Sequence, residues 1–123
     1  MAIVGVGIDL VKVERVEQAL GRYGERFLHR VFTDSEIAFC ESVAGRTLSY
    51  AGRFAAKEAF SKALGTGLRG AIGWREVEVR DNERSRPTVA CTGRAQELLA
   101  GRSVHLSITH LPEYAAAVVI IEE

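Results

Sequence analysis

The sequence contains few residues that crosslink or stiffen a chain, with only two cysteines and two prolines among 123 residues. Cys40 and Cys91 lie far apart and match no metal-ligand spacing, so we interpret both as reduced thiols. The longest apolar stretch, residues 115–121, is far too short to span a membrane. The first residues show no signal-peptide pattern either. We therefore expect a cytoplasmic protein that does not associate with membranes.

An excess of charge of one sign is also missing, because 16 lysines and arginines balance 16 aspartates and glutamates. A general nucleic-acid binder needs surplus cations to displace counterions from phosphates, so we expect no nucleic-acid partner. The composition, 47% hydrophobic and 26% charged, is typical of a globular protein. This length predicts a single domain over residues 1–123, and its small core favours oligomerisation.

The hydrophobic periodicity predicts an α+β domain with a long helical section after the first strand. Residues 2–10 alternate as a strand, and we expect the apolar side chains of Val4, Val6, Ile8 and Leu10 to form its core face. The other face ends in Asp9. Further strands are predicted at residues 76–80, 88–92, 104–108 and 114–121. The last of these is apolar on both faces, as expected of a central strand.

Three longer helices are predicted between the first two strands, and a short fourth helix at residues 94–100. The first covers residues 12–24. The second begins at a capping box formed by Thr33 and Glu36. The third covers residues 49–64, is rich in alanine, and is followed by Gly65 at the position of a left-handed C-cap.

The third helix carries the densest group of candidate functional residues. Glu58 and Lys62 lie one helical turn apart, which by itself is equally typical of an ordinary surface ion pair. A magnesium site would need a second acid, since Mg²⁺ commonly takes one or two carboxylates with substrate phosphates and waters. Asp9, at the end of the first strand, is the best candidate, although an aspartate there is also typical of a turn or a helix cap.

Two glycine-containing segments and one histidine carry weaker signals. The loop at residues 65–67 (GTG) could bring a backbone close to a phosphate, or could simply end the helix. The glycines of residues 5–7 (GVG) lack the third glycine of a dinucleotide fingerprint, so we reject that interpretation. His110 at a strand end is as consistent with a structural role as with a functional one.

Four segments in order resemble one family. They are residues 5–10 (GVGIDL), 26–36 (RFLHRVFTDSE), 53–67 (RFAAKEAFSKALGTG) and 105–110 (HLSITH). Together they resemble the holo-[acyl-carrier-protein] synthases, the short trimeric class of 4′-phosphopantetheinyl transferases. The resemblance implies the fold of that family, a mainly antiparallel sheet packed against a long helix. It also implies Mg²⁺-dependent transfer of 4′-phosphopantetheine from coenzyme A to a serine of an apo-acyl carrier protein, with release of 3′,5′-ADP.

The resemblance assigns roles to matching positions. Asp9 and Glu58 would hold Mg²⁺, and Lys62 would contact a phosphate and assist departure of 3′,5′-ADP. Either Glu58 or a water held by the ion would accept the serine proton. The remaining positions expected to bind coenzyme A, besides Lys62, are Arg53, Gly65, Thr66 and His110. The active sites would lie between adjacent subunits of a homotrimer.

Carrier recognition is predicted on the first helix. Arg15 and Arg22 lie two turns apart, and Arg26 would extend the stripe if the helix persists that far. An acidic carrier would dock on this stripe, although a solvated face balanced by nearby glutamates is the simpler interpretation of an unassigned helix.

Two alternative functions are consistent with the same candidate site residues. They are a Mg²⁺-dependent phosphohydrolase that transfers to water, and a coenzyme A-binding or interaction module without turnover.

Overall fold

The elements of the fold are those of a computed structural model, which describes residues 2–66, 71–81 and 84–123. In chain order they are β1 (Ile3–Lys12), α1 (Val13–Tyr23), α2 (Glu25–Val31), α3 (Asp34–Ser42), α4 (Arg46–Leu64), a turn of 3₁₀ helix (Trp74–Glu76), β2 (Val77–Asp81), β3 (Pro87–Cys91), α5 (Gly93–Leu99), β4 (Ser103–His110) and β5 (Tyr114–Glu122). Antiparallel strands and the long helix α4 confirm the predicted α+β class.

The main sheet has three antiparallel strands in the order β1-β5-β4, and a separate two-stranded sheet pairs β2 with β3. The prediction that residues 114–121 form a central strand is confirmed, since β5 pairs with both neighbours. Ala115, Ala117, Val119 and Ile121 are buried on one face of β5. This face covers α4, the 19-residue helix that crosses the sheet.

The contact between β1 and α4 depends on glycine. A Cβ atom at Gly5 would lie 1.9 Å from the carbonyl oxygen of Ala63, and one at Gly7 would lie 1.9 Å from that of Ala59. Real Cβ atoms do not approach a carbonyl oxygen so closely, so only glycine lets the strand and helix backbones meet here. The two glycines that resembled part of a nucleotide motif are therefore packing residues.

The predicted core face of β1 is wrong. Val4, Val6, Ile8 and Leu10 are between 43% and 67% exposed around a single chain. The opposite face, which holds the two glycines, packs on α4 instead. Alternation correctly identified two faces, but the apolar one contributes nothing to the core of this chain.

The helix ends follow local capping signals. Thr33 and Glu36 form the predicted capping box, with the Thr33 amide donating to Glu36 and the Glu36 amide to Thr33. Gly65 adopts the predicted left-handed conformation after α4, with φ 84°. Two boundaries were not predicted: α4 begins at Arg46, and α2 forms a separate helix after Gly24 (φ 54°).

Both cysteines are free thiols, as predicted, and Cys40 is fully buried. Among the described residues, no helix combines the length and apolar character needed to cross a bilayer.

Candidate active site

Asp9 and Lys62 meet where β1 lies against α4. The Lys62 ammonium donates to the Asp9 carboxylate at 3.1 Å and to the Ile8 carbonyl at 3.0 Å. The Asp9 side chain is 15% exposed, whereas that of Lys62 is 53% exposed. The close approach permitted by the two glycines of β1 thus brings together two predicted site residues that lie 53 positions apart.

Glu58 lies one turn before Lys62 on α4 and is partly buried. Residues four apart share a helix face, so Glu58 and Lys62 project from the side of α4 that borders Asp9. The backbone carbonyl of Glu58 accepts a hydrogen bond from Ser61 at 2.8 Å. Asp9 and Lys62 thus meet at one edge of the β1–α4 contact, and Glu58 lies one helical turn from Lys62.

The donor set at this edge fits a magnesium ion. Asp9 already holds a cationic group, the Lys62 ammonium, beside a backbone carbonyl, and carboxylate and carbonyl oxygens are the ligands Mg²⁺ prefers. The described residues contain no group of three or more histidine, cysteine, aspartate or glutamate side chains that could enclose a metal. Asp9 and Glu58 would accordingly hold the ion from one side and leave its other positions to phosphate and water.

Arg53 and His110 form a second cluster, beside an open cavity of about 350 Å³. The Arg53 guanidinium lies 4.3 Å from the centre of the Phe39 ring, and its Nη2 lies 3.8 Å from the Asp81 carboxylate. Its side chain is 8% exposed. Apolar walls, a nearly buried cation and an imidazole suit an anionic ligand with an apolar or aromatic part.

Two buried side-chain atoms lack a hydrogen-bond partner among the described residues: Nε of Arg53 and Oγ1 of Thr66. Buried polar atoms are nearly always satisfied in folded proteins, so each exception needs an explanation. Both atoms belong to residues predicted to bind coenzyme A. A ligand polar group at each position would remove the deficit.

The backbone amides of the loop after α4 are less available for binding a phosphate than expected. The amides of Gly65 and Thr66 both donate to carbonyls of the last turn of α4, so they complete a helix cap and are not free to bind a phosphate. The Thr66 hydroxyl is the polar group that remains. Gly67, the other glycine of the predicted loop, lies outside the described residues.

The two clusters do not meet in one chain. Arg53 and Lys62 are nine positions apart on α4, which corresponds to about 13 Å along the helix axis. His110 lies at the end of β4 beside Arg53, on the side away from Asp9. A single chain therefore presents two partial sites rather than one complete pocket.

The arginines predicted to bind a carrier are all exposed, but they do not form one helical stripe. Arg15 and Arg22 lie on α1, which ends at Tyr23. Arg26 lies on α2, because Gly24 breaks the helix. The condition for extending the stripe to Arg26 is therefore not met, although all three side chains are exposed.

The buried ion pair between Lys57 and Glu36 was not predicted from the sequence. Both side chains are fully buried, with Nζ of Lys57 2.7 Å from Oε1 of Glu36. Burial lowers the pKa of Lys57, and the Glu36 carboxylate partly offsets the shift. One signal was present: Lys57 interrupts an apolar stripe with Phe54 and Phe60 three positions to either side, which marks a buried position.

Comparisons with known proteins identify the family and the fold. Residues 5–119 match the family model of the 4′-phosphopantetheinyl transferase superfamily. The holo-[acyl-carrier-protein] synthase of Koribacter versatilis is 46% identical over 124 residues, covering 98% of this chain and 99% of that one. The synthase of Neisseria meningitidis superposes with a TM-score of 0.91 at 30% identity, over 99% of this chain and 100% of that one. That of Bacillus anthracis, solved in complex with coenzyme A (3′,5′-ADP), gives a TM-score of 0.84 at 37% identity, covering 98% and 97%.

Proposed function

The chain belongs to the 4′-phosphopantetheinyl transferase superfamily, among the holo-[acyl-carrier-protein] synthases, and from this premise we propose how its residues carry out the reaction. The enzyme transfers 4′-phosphopantetheine from coenzyme A to a serine of an apo-acyl carrier protein. The proposal concerns the role of each residue, the metal, the subunit arrangement and the docking surface.

In the proposed reaction the serine oxygen attacks the β-phosphorus of the coenzyme A pyrophosphate. A new phosphorus–oxygen bond forms to the carrier, and the bond to the oxygen of the departing 3′,5′-ADP breaks. Lys62 neutralises negative charge that develops on the leaving phosphate. Glu58 accepts the serine proton.

Asp9 and Glu58 would hold Mg²⁺ at the edge of the β1–α4 contact. The ion would supply electrostatic stabilisation of the phosphate oxygens. The Lys62 ammonium contacts Asp9, which places it beside the proposed metal ligands, where it would contact a phosphate.

The observation that carries the assignment of the nucleotide site is the nearly buried Arg53 guanidinium beside an open cavity that His110 also lines. The family resemblance assigns both residues to coenzyme A binding, and a phosphate is the kind of anion that a guanidinium holds. Thr66, whose hydroxyl lacks a partner among the described residues, is a further proposed contact. His110, on the wall of the Arg53 cavity, would contribute a further donor.

We propose that the active enzyme is a homotrimer with its sites between subunits. The sheet face directed away from α4, called the outer sheet face below, carries Val6 and Ile8 of β1 opposite Ile120 and Val118 of β5. Such a continuous exposed apolar surface is typical of a protein interface. A second copy on this face would cover it and would also supply the cluster that each partial site lacks. The number three comes from the family resemblance.

The proposed docking surface for the carrier is α1. Its exposed arginines, Arg15 and Arg22, offer positive charge to an acidic partner, whereas its apolar residues Val13, Val16 and Leu20 are buried. Complementary charge of this kind accelerates encounter and selects partners. Arg26 on α2 lies just beyond the end of α1 and would extend the same surface.

A transfer assay tests the proposal. The protein is incubated with apo-acyl carrier protein, coenzyme A and Mg²⁺, and the carrier is measured by intact mass spectrometry. We expect the mass of the carrier to increase by one phosphopantetheine group. A metal chelator should prevent this increase, and excess Mg²⁺ should restore it. Release of 3′,5′-ADP without modification of the carrier would instead identify a phosphohydrolase. Binding of coenzyme A without turnover would identify a binding module.

The remaining proposals concern the context of the reaction. Two free thiols are typical of a reducing compartment, which supports a cytoplasmic location. The family match over residues 5–119 supports one phosphopantetheinyl transferase domain over the whole sequence.

A further inference from the structure

The ion pair between Lys57 and Glu36 joins three parts of the fold. The Lys57 ammonium, on α4, donates to Glu36 of α3 and to the backbone carbonyls of Trp74 and Val77. Glu36 in turn accepts hydrogen bonds from the amides of Thr33 and Val79, at 2.9 Å and 2.8 Å. Every charged or polar group in this cluster has a partner among the described residues. Lys57 lies one helical turn after Arg53 on α4.

Stability alone does not account for such a pair. Removing two charges from water carries a large desolvation penalty, and buried ion pairs can often be replaced by apolar residues without loss of stability. What a fully hydrogen-bonded pair supplies is geometry, because the ammonium satisfies three fixed acceptors in only one position. The pair therefore favours a single position of α4 relative to α3 and to the chain around β2.

The position of Lys57 around the axis of α4 shows how the ion pair relates to the proposed catalytic residues. Successive helical residues are rotated by about 100°, so Glu58 and Lys62 lie about 100° and 140° around the axis from Lys57. Ala59 and Ala63, which contact β1, lie about 200° and 240° around it. The helix is thus held at two faces, and the third face carries the proposed catalytic groups.

The sheet side of α4 is built from small side chains, Ala55, Ala56, Ala59 and Ala63, and its backbone packs closely against Gly5 and Gly7. These contacts set the distance between the helix and the sheet, and the Lys57 pair adds a fixed point on another face of the helix. Without that fixed point, α4 could rotate by a fraction of a residue. The same rotation would displace the ends of the longer Glu58 and Lys62 side chains by about an ångström or more, enough to disturb a reaction that needs alignment.

We propose that Lys57 is a positioning residue for phosphopantetheine transfer, and that its buried pair with Glu36 fixes the rotation of α4 and thereby orients Glu58 and Lys62 toward Asp9. This inference rests on the proposed function of those three residues. It predicts that removal of the pair will reduce catalysis and metal binding more than it reduces folding.

The test uses the double variant Glu36→Gln/Lys57→Met in the full-length oligomer. The glutamine side chain keeps an oxygen acceptor, and the methionine side chain fills most of the lysine volume without leaving a buried charge. We expect the melting temperature to fall by several degrees, because the carbonyls of Trp74 and Val77 lose their donor, and kcat per folded molecule to fall about 10- to 100-fold. The KM for coenzyme A should change less than about threefold, because Arg53 and Thr66 are untouched.

A readout independent of turnover is the binding of Mn²⁺, as a probe for the Mg²⁺ site, in the presence of coenzyme A. Free Mn²⁺ measured by electron paramagnetic resonance should show about tenfold weaker binding in the double variant. The matched control, Arg94→Gln/Glu97→Gln, removes an exposed pair on α5 and should leave both kcat and Mn²⁺ binding unchanged.

Unchanged kcat and Mn²⁺ affinity in a folded double variant would overturn the positioning role, provided that the unmodified protein transfers phosphopantetheine. Failure of the unmodified protein to do so would instead refute the proposed function. If the double variant does not fold, Glu36→Gln alone carries the test. A kcat per folded molecule equal to that of the unmodified protein would then contradict the proposal, and a lowered one with weaker Mn²⁺ binding would support it.

Discussion

The two faces of β1 differ in composition and in what they contact. One face presents Gly5, Gly7 and Asp9 to α4, and the lack of side chains lets the helix approach until Lys62 reaches the carboxylate. The other presents Val6 and Ile8, which are 59% and 67% exposed around a single chain. The comparison teaches that the face poor in hydrophobic groups makes the close contact with α4, while the hydrophobic face stays exposed around a single chain.

The largest expected effect comes from changing the carboxylate on the glycine face. Asp9→Asn keeps the shape of the side chain but weakens its hold on a cation, so we expect kcat to fall by about 100- to 1,000-fold. Folding should be almost unaffected, because partly exposed ion pairs contribute little stability. Asp34→Asn, at an exposed aspartate of α3, is the control. An Asp9→Asn enzyme with normal kcat at limiting Mg²⁺ would exclude Asp9 from the metal site.

Changing the apolar face should affect assembly. Val6→Asp places a carboxylate on the apolar part of the outer sheet face, and burying it without a partner is costly, so we expect association to weaken by about 100-fold or more. Sedimentation at micromolar concentration should then show monomers and little transfer, whereas Val6→Ile should remain trimeric. If the carboxylate variant stays trimeric, subunits meet through another surface.

The glycine face can also be tested through stability. Gly7→Ala would place a methyl group 1.9 Å from the carbonyl oxygen of Ala59, and forcing the backbones apart should cost about 1–3 kcal/mol or more. Gly21→Ala is the matched control, since it lies in α1 with open space around it and should stabilise the protein by about 0.5–1 kcal/mol. Urea titration measures both. Equal stabilities for the two variants would mean that β1 and α4 can separate freely.

The smallest effect is expected on α1, where the exposed surface is charged rather than apolar. Arg15→Glu combined with Arg22→Glu should raise the KM for carrier by about tenfold and leave coenzyme A binding unchanged. Added salt should raise the KM of the unmodified enzyme in the same direction, because exposed charges are screened over about 10 Å at roughly 0.1 M, while the trimer persists. If the double variant has an unchanged KM for carrier at low salt, and added salt does not change the KM of the unmodified enzyme, the docking surface lies elsewhere.

Features encoded by neighbouring residues could be predicted from the sequence. The Thr33–Glu36 capping box and the Gly65 helix end are local signals, and both are confirmed. The doubly apolar pattern of β5 likewise predicted its central place in the sheet. Such signals depend on hydrogen bonding and burial within a few residues, which the chain determines before any long-range contact forms.

Long-range contacts could not be predicted in the same way. Alternation in β1 separates two faces, but it does not state whether an apolar face is covered by the same chain or by another. The partners of Lys57 come from α3 and from backbone carbonyls near β2, and carbonyls leave no pattern in a sequence. The family resemblance assigned Asp9 and Lys62 to one site but did not predict their direct contact, and the structure does not test their catalytic roles.

The distance between the two partial sites on α4 has a genetic consequence. If one subunit supplies Asp9 and its neighbour supplies Arg53, two inactive proteins can restore each other. Mixed trimers assembled from equal amounts of Asp9→Asn and Arg53→Ala chains would contain some interfaces at which both contributing surfaces are intact. Random assembly around a head-to-tail ring makes about a quarter of the sites complete, so mixing two inactive preparations would regain activity that neither has alone.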